Sequence, residues 1–114
     1  MAVTKTIGTN SRDYSTIAAW EADLSNASVY SNGDDAVGVC YNDSVFNEAV
    51  TINGGNSIGG SAGQNLNSRK LTVHDDSKHD GTAGTGARNV YTGSSNPVLT
   101  IGINNTTVEW LEYD

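Results

Sequence analysis

The sequence is short of most of what builds a helical bundle, a disulfide scaffold or a nucleic-acid grip. Among 114 residues there is one cysteine, one proline, one methionine and one phenylalanine. A lone Cys40 permits no intramolecular disulfide, which excludes the disulfide-stapled mini-proteins. Hydrophobic residues reach 36% and charged residues 17%, both below the usual share of a globular domain. Scarce charge excludes a solvated acidic tail, and scarce Leu, Glu and Lys exclude a helical bundle. Only six cations are present, scattered at Lys5, Arg12, Arg69, Lys70, Lys78 and Arg88. With a net charge of −7 they build no basic stripe, so nucleic acid and anionic membranes are not expected partners. No apolar run approaches membrane-spanning length, and Met1-Ala2-Val3-Thr4-Lys5-Thr6 has no apolar signal-peptide core.

What is abundant is Gly, Asn, Ser and Thr. These residues suit turn-rich β-structure. The length allows a single domain, 1–114. One segment reads as helix: Ser15 caps, and Ile17, Trp20 and Leu24 recur on one face, which predicts an amphipathic helix over 15–25. Beyond Asp35, short strands are expected at Ala36–Tyr41, Val45–Ile52, Lys70–His74, Asn89–Tyr91, Val98–Ile103 and Thr107–Tyr113. Gly- and Asn-rich breakers separate them. Cys40 falls on the first of these strands and reads as a small buried hydrophobe rather than a nucleophile.

Three strand segments share an apolar-Thr-apolar pattern: Val50-Thr51-Ile52, Leu71-Thr72-Val73 and Leu99-Thr100-Ile101. Fixed short strands with variable turns are the signature of a stacked solenoid. The fold expected is therefore all-β: a short right-handed parallel β-helix, with coils over 36–114 and the amphipathic helix as an N-terminal cap. An antiparallel sandwich is the competing arrangement. The last strand, Thr107–Asp114, carries Trp110, Leu111 and Tyr113 with no polar cap after it. Such a strand is expected to be covered by further chain or by a partner, so these three residues are the candidate interface.

Other constellations carry candidate chemistry. His74, Asp75, Asp76, His79 and Asp80 form the densest polar cluster and are the candidate metal ligands; the alternative reading is a solvated turn. The acid pairs Asp34-Asp35 and Asp75-Asp76 do not make a glycosidase by themselves, because neighbours on a strand face opposite ways. Asp43 with Glu48, and Glu109 with Glu112, are no better marked. Gly81–Gly86 holds Gly-x-x-Gly-x-Gly without the Lys and helix of a phosphate loop. No catalytic residue and no cofactor is assigned.

Some segments carry a resemblance. Asp13-Tyr14-Ser15-Thr16-Ile17-Ala18-Ala19-Trp20 resembles the helix-capped opening of right-handed parallel β-helix (pectate-lyase-like) proteins. Tyr41–Ile52 is similar to their first coils, and His79–Arg88 to a loop of members encoded by bacteriophages and marine bacteria. Members are typically longer, so the resemblance implies the N-terminal part of a solenoid, or a shortened relative capped by a partner. It implies a non-catalytic structural or binding module of a virus particle, such as a capsid decoration protein or part of a tail fibre or tailspike. It also implies virion or extracellular location and a homo-oligomer, first of all a homotrimer. The partner at the C-terminal edge would be another copy or another virion protein, with carbohydrate a further candidate. The alternative function is the capping portion of a β-helix polysaccharide lyase or glycoside hydrolase.

Overall fold

A computed structural model of the chain describes residues 1–43, 46–78, 86–89 and 99–113; the side chains of Arg88, Glu112 and Tyr113 are not among what is described. Strand β1 (Ala2–Ile7) opens the fold. Helix α1 (Ile17–Ala22) follows, then β2 (Asp35–Cys40), β3 (Val50–Ile52), β4 (Ser68–Val73), β5 (Arg88–Asn89), β6 (Leu99–Ile101), β7 (Thr106–Val108) and β8 (Glu112–Tyr113). Single 3-10 turns lie at Ile58–Gly60 and Asp75–Ser77.

The strands form one four-stranded sheet, β1-β2-β4-β7, and two pairs, β3-β6 and β5-β8. Every described strand pair is parallel. That pairing excludes the antiparallel sandwich.

The expected all-β parallel β-helix with an N-terminal capping helix is corrected. The molecule is a small α/β-like unit with a largely parallel sheet and one α-helix. The helix does not precede the strands. It is the crossover between β1 and β2, which pair in parallel along their whole length, Ala2 opposite Asp35 through Ile7 opposite Cys40. Parallel neighbours need such a crossover, and a helix is the usual one. Nor do the described strands repeat as equal coils, because one sheet has four and the others two each.

The apolar-Thr-apolar segments are not successive turns of one coil. Two copies pair in register, Val50 with Leu99, Thr51 with Thr100 and Ile52 with Ile101. The third lies in the other sheet, where Thr72 sits beside Val39. Similar sequence reflects a similar half-buried strand environment, not a common place in a repeating coil.

Alternation sets the faces. Along β2 the small residues Ala36, Gly38 and Cys40 point inward, with Val37 and Val39 outward. Along β4, Arg69, Leu71 and Val73 point inward. Register then stacks Ile7, Cys40 and Val73 as one buried row. Helix α1 contacts β1, β2 and β3. It buries Ile17 and Trp20, and Leu24 just beyond it is buried too. Its cap is Thr16 rather than Ser15: the Thr16 hydroxyl accepts the Ala19 N–H at 3.1 Å. The helix is shorter than the 15–25 expected, because Asp23 already leaves helical bonding.

The strand expected over Thr107–Tyr113 is broken. Trp110 has a positive φ of 64°, which interrupts β structure between β7 and β8. No described helix is long and apolar enough to cross a membrane.

Candidate functional site: an open strand edge beside an aromatic and cationic rim

The strands β6, β7 and β8 each end their sheet, with no further described strand beyond them. All three come from the last stretch of the chain, so their free edges lie together in sequence. The apolar residues there are incompletely covered. Leu99, Val108 and Leu111 pack only partly against the core. Ile101 is 49% exposed and Trp110 46%. Elsewhere the interior is closed by α1, whose Trp20 is fully buried.

Of the three residues expected at an interface, Trp110 and Leu111 flank this edge. Tyr113 belongs to β8, paired next to Asn89; its side chain lies outside the described residues.

Trp110 also meets a cation. Lys78 Nζ stands 4.6 Å from its ring centroid. A second cation–aromatic contact involves Tyr41. Arg12 Cζ sits 3.5 Å from the Tyr41 ring centroid. Tyr41 stacks on His74 with centroids 4.6 Å apart and planes 20° apart. Register explains that stack: Cys40 pairs with Val73, so the next residues, Tyr41 and His74, leave adjacent strands side by side. Cation–aromatic contacts of this kind are weakly stabilising at exposed sites.

The candidate metal ligands do not converge. His74 Nδ1 accepts the Asp76 N–H at 3.2 Å. Asp75 pairs with Lys78 at 3.1 Å. Among the described residues no three His, Cys, Asp or Glu side chains come together as a metal-binding group. His79 and Asp80 lie outside the described residues, as does 81–85 of the Gly-rich loop.

Of the paired acids, Asp35, Asp43, Glu48 and Glu109 serve the scaffold. Asp43 takes a two-point ion pair from Arg12, Nε to Oδ2 and Nη2 to Oδ1, both 2.9 Å. It also accepts the Asn10 N–H at 3.1 Å, which closes the loop after β1. Its hydrogen bonds from Arg12 hold its pKa below the usual carboxylate range, against the opposing effect of burial. Glu48 caps α1 from outside it, accepting the N–H groups of Ile17 at 2.9 Å and Ala18 at 2.8 Å. Glu48 is itself held by the fully buried Asn89, whose Oδ1 accepts the Glu48 N–H at 3.0 Å and whose Nδ2 donates to the Glu48 carbonyl at 2.8 Å.

Glu109 lies at the edge and accepts from the Thr72 hydroxyl at 2.9 Å and from Lys70 at 3.1 Å. These two hydrogen bonds, Lys70 first, lower its pKa. Asp35 is lowered likewise by Ser68 and Asn67. Burial, and then the Glu48 charge, push the Cys40 thiol up to about 12. A thiol that hard to ionise is no nucleophile near neutral pH.

One scaffold role left no sequence signal. Arg69 is only 3% exposed, yet donates to backbone carbonyls rather than to an acid: Nε to Gly54 at 2.7 Å and Nη1 to Asn104 at 3.2 Å. It ties the turn after β3 to the turn before β7.

Compared with known proteins, the chain matches no protein-family model, no curated protein and no solved structure.

Proposed function

We propose that the chain is a non-catalytic structural and binding module of a virus particle, a capsid decoration protein or part of a tail fibre or tailspike, which docks through the edge made by β6, β7 and β8. The observation that carries the docking role is that three sheets end together in one stretch of chain, with Ile101 and Trp110 each about half exposed beside them. Unpaired edges next to exposed apolar groups are satisfied by another chain. The occupant is a second copy in a closed cyclic assembly, or another particle protein. The non-catalytic reading is supported by the work of the acids: Asp43, Glu48 and Glu109 each accept structural hydrogen bonds. The virus particle is inferred from the sequence resemblance alone.

Two measurements test the proposal. Sedimentation velocity of the 114-residue chain should show a concentration-dependent oligomer that Trp110→Ala weakens. A sharp monomer at all concentrations, with no partner retained from purified particles, sinks the docking role. Peptide mass spectrometry of purified particles from the source should find the chain; its absence there, or turnover of polysaccharide by the chain, sinks the virion role.

A further inference from the structure

Glycine follows asparagine at two places in the chain, Asn32-Gly33 and Asn53-Gly54. In such a pair the glycine nitrogen can approach the asparagine side-chain carbonyl, because glycine has no Cβ to obstruct it. Attack there expels ammonia and closes a succinimide ring. Both asparagines are exposed. The fold nevertheless treats the two pairs in opposite ways.

Asn32 is held at two points by the backbone of Asn65. Its Oδ1 accepts the Asn65 N–H at 2.9 Å, and the Gly33 N–H donates to the Asn65 carbonyl at 2.8 Å. The side-chain amide is thereby turned toward Asn65, and the Gly33 proton faces a carbonyl, which is no base.

At the end of β3 the arrangement is reversed. The Asn53 side chain makes no hydrogen bond among the described residues. The Gly54 N–H donates to Glu21 Oε1 at 3.0 Å, and the Asn53 N–H to the same oxygen at 3.2 Å. Glu21 belongs to α1, so this carboxylate is carried by a regular element. Gly54 itself is needed for packing: a Cβ there would stand 2.9 Å from Leu24 Cβ and 3.1 Å from the Glu21 carbonyl oxygen. The glycine therefore has a structural reason, whereas the Asn53 amide has no described structural work.

A peptide nitrogen attacks perpendicular to its plane, whereas its N–H lies in that plane. The hydrogen bond to Glu21 thus leaves the attacking face open and gives the proton a place to go. A base must stand within about 2.6–3.2 Å of the nitrogen it deprotonates, as Glu21 does.

We propose that Asn53 is a site of spontaneous succinimide formation, with Glu21 as the base that takes the Gly54 proton. The Gly54 nitrogen bonds to Asn53 Cγ as its proton passes to Glu21 Oε1. The Cγ–Nδ2 bond then breaks, the same proton returns to the leaving nitrogen, and ammonia departs. Water opens the ring at either carbonyl and leaves an aspartyl or isoaspartyl link in place of Asn53. The isoaspartyl form lengthens the main chain by one carbon just before Gly54, whose carbonyl accepts Arg69 Nε at 2.7 Å. Conversion therefore acts on the tie between the turn after β3 and the turn before β7.

The test is peptide mass spectrometry of the full chain after incubation at mildly alkaline pH, both folded and in guanidinium chloride. It reads the exchange of NH₂ for OH at Asn32 and at Asn53. Unfolded, the two pairs should convert at similar rates. Folding should speed Asn53 and slow Asn32. Glu21→Gln keeps an acceptor oxygen for both N–H groups but takes no proton. It should slow Asn53 in the folded chain by about a hundredfold, the low end for a positioned general base, and leave Asn32 unchanged. Two outcomes overturn the proposal: folding that slows Asn53 as it slows Asn32, or an unchanged Asn53 rate in a Glu21→Gln variant with a native circular dichroism spectrum. If that variant does not fold, the ratio of folded to unfolded rates in the parent chain decides alone.

Discussion

The indole of Trp20 lies directly on the backbone of Gly38. A Cβ built at Gly38 would stand 2.7 Å from Trp20 Cε2 and 2.9 Å from Cδ2, with Ile7 Cδ1 at 3.0 Å. Glycine is required here for close approach, since its φ is not among the positive ones. The same indole donates its N–H to the Tyr30 hydroxyl at 3.1 Å. Trp20 is therefore held at a fixed height between β2 and the turn that leads into it. Gly38→Ala should lower unfolding stability by about 1–3 kcal/mol, the usual cost of overpacking. Combined with Trp20→Phe, the loss should be smaller than the sum of the two single losses, because the two sites are in contact and their effects are not additive. Urea denaturation of the two single variants and the double variant measures this. Additive losses would mean that the indole has room to move away.

Asp43, Asp35 and Glu109 predict how the fold responds to acid. In each the folded carboxyl pKa is lowered, by Arg12, by Ser68 and by Lys70 respectively as the leading cause. A lowered folded pKa gives stability that is complete above the unfolded value, about 3.9 for Asp and about 4.3 for Glu. It is lost as the pH falls through the folded values, where the native state must take up the proton. Stability should thus be level from neutral pH to about 5 and fall below about 4. Asp43→Asn should be less stable at neutral pH and should show a shallower acid decline. Melting temperatures across pH 3–7, a range chosen to span the ordinary carboxylate values of about 4, check both slopes. A parallel shift of the whole curve would show that the Arg12 pair does not titrate with unfolding.

Cys40 should be silent in the folded protein. It is fully buried in the row of Ile7 and Val73, and its thiol is pushed up to about 12. At pH 8 iodoacetamide should label it only at the rate of unfolding, and rapidly in denaturant. Fast labelling of the native chain would mean that the β2–β4 interior opens.

Strand content was legible in the sequence because half-buried strands alternate: Ala36–Cys40 and Leu71–Val73 declare one inward face each. Strand β1 is not legible in the sequence because Lys5 interrupts its apolar side, and its place follows from pairing with β2. Without β1, the helix over 15–25 reads from sequence as a cap, whereas it is the crossover between β1 and β2. The work of Asp43 and Glu48 was illegible for another reason: their partners lie 31 residues away, at Arg12 and Ile17. Trp110 and Leu111 stood out as exposed apolar groups on a terminal strand. The hollow between Tyr30 and Ile58 did not, because Ile58–Gly63 reads from sequence as a Gly-rich break between strands.

Trp110 offers a test that separates strain from contact. Its φ of 64° places a bulky residue in the left-handed region, at a cost of about 1–2 kcal/mol for a side chain with a Cβ and little for glycine. Nothing in the sequence marks the position, since a glycine would signal it and a tryptophan does not. At 46% exposure the ring covers part of the edge and takes Lys78 at 4.6 Å. Trp110→Ala keeps the strained backbone and loses the ring, so it should be less stable than the parent. Trp110→Gly loses the same ring but relieves the backbone, so it should exceed Trp110→Ala by about 1 kcal/mol, less what glycine gives back in unfolded-state entropy. If the ring is the docking contact, both variants should sediment as smaller species than the parent, regardless of that ordering. Stability and association would then part company at one position: urea midpoints ranking glycine above alanine, and sedimentation showing both defective. Equal stabilities would mean that the backbone at residue 110 relaxes once the ring is gone, and undiminished assembly of either variant would remove Trp110 from the interface.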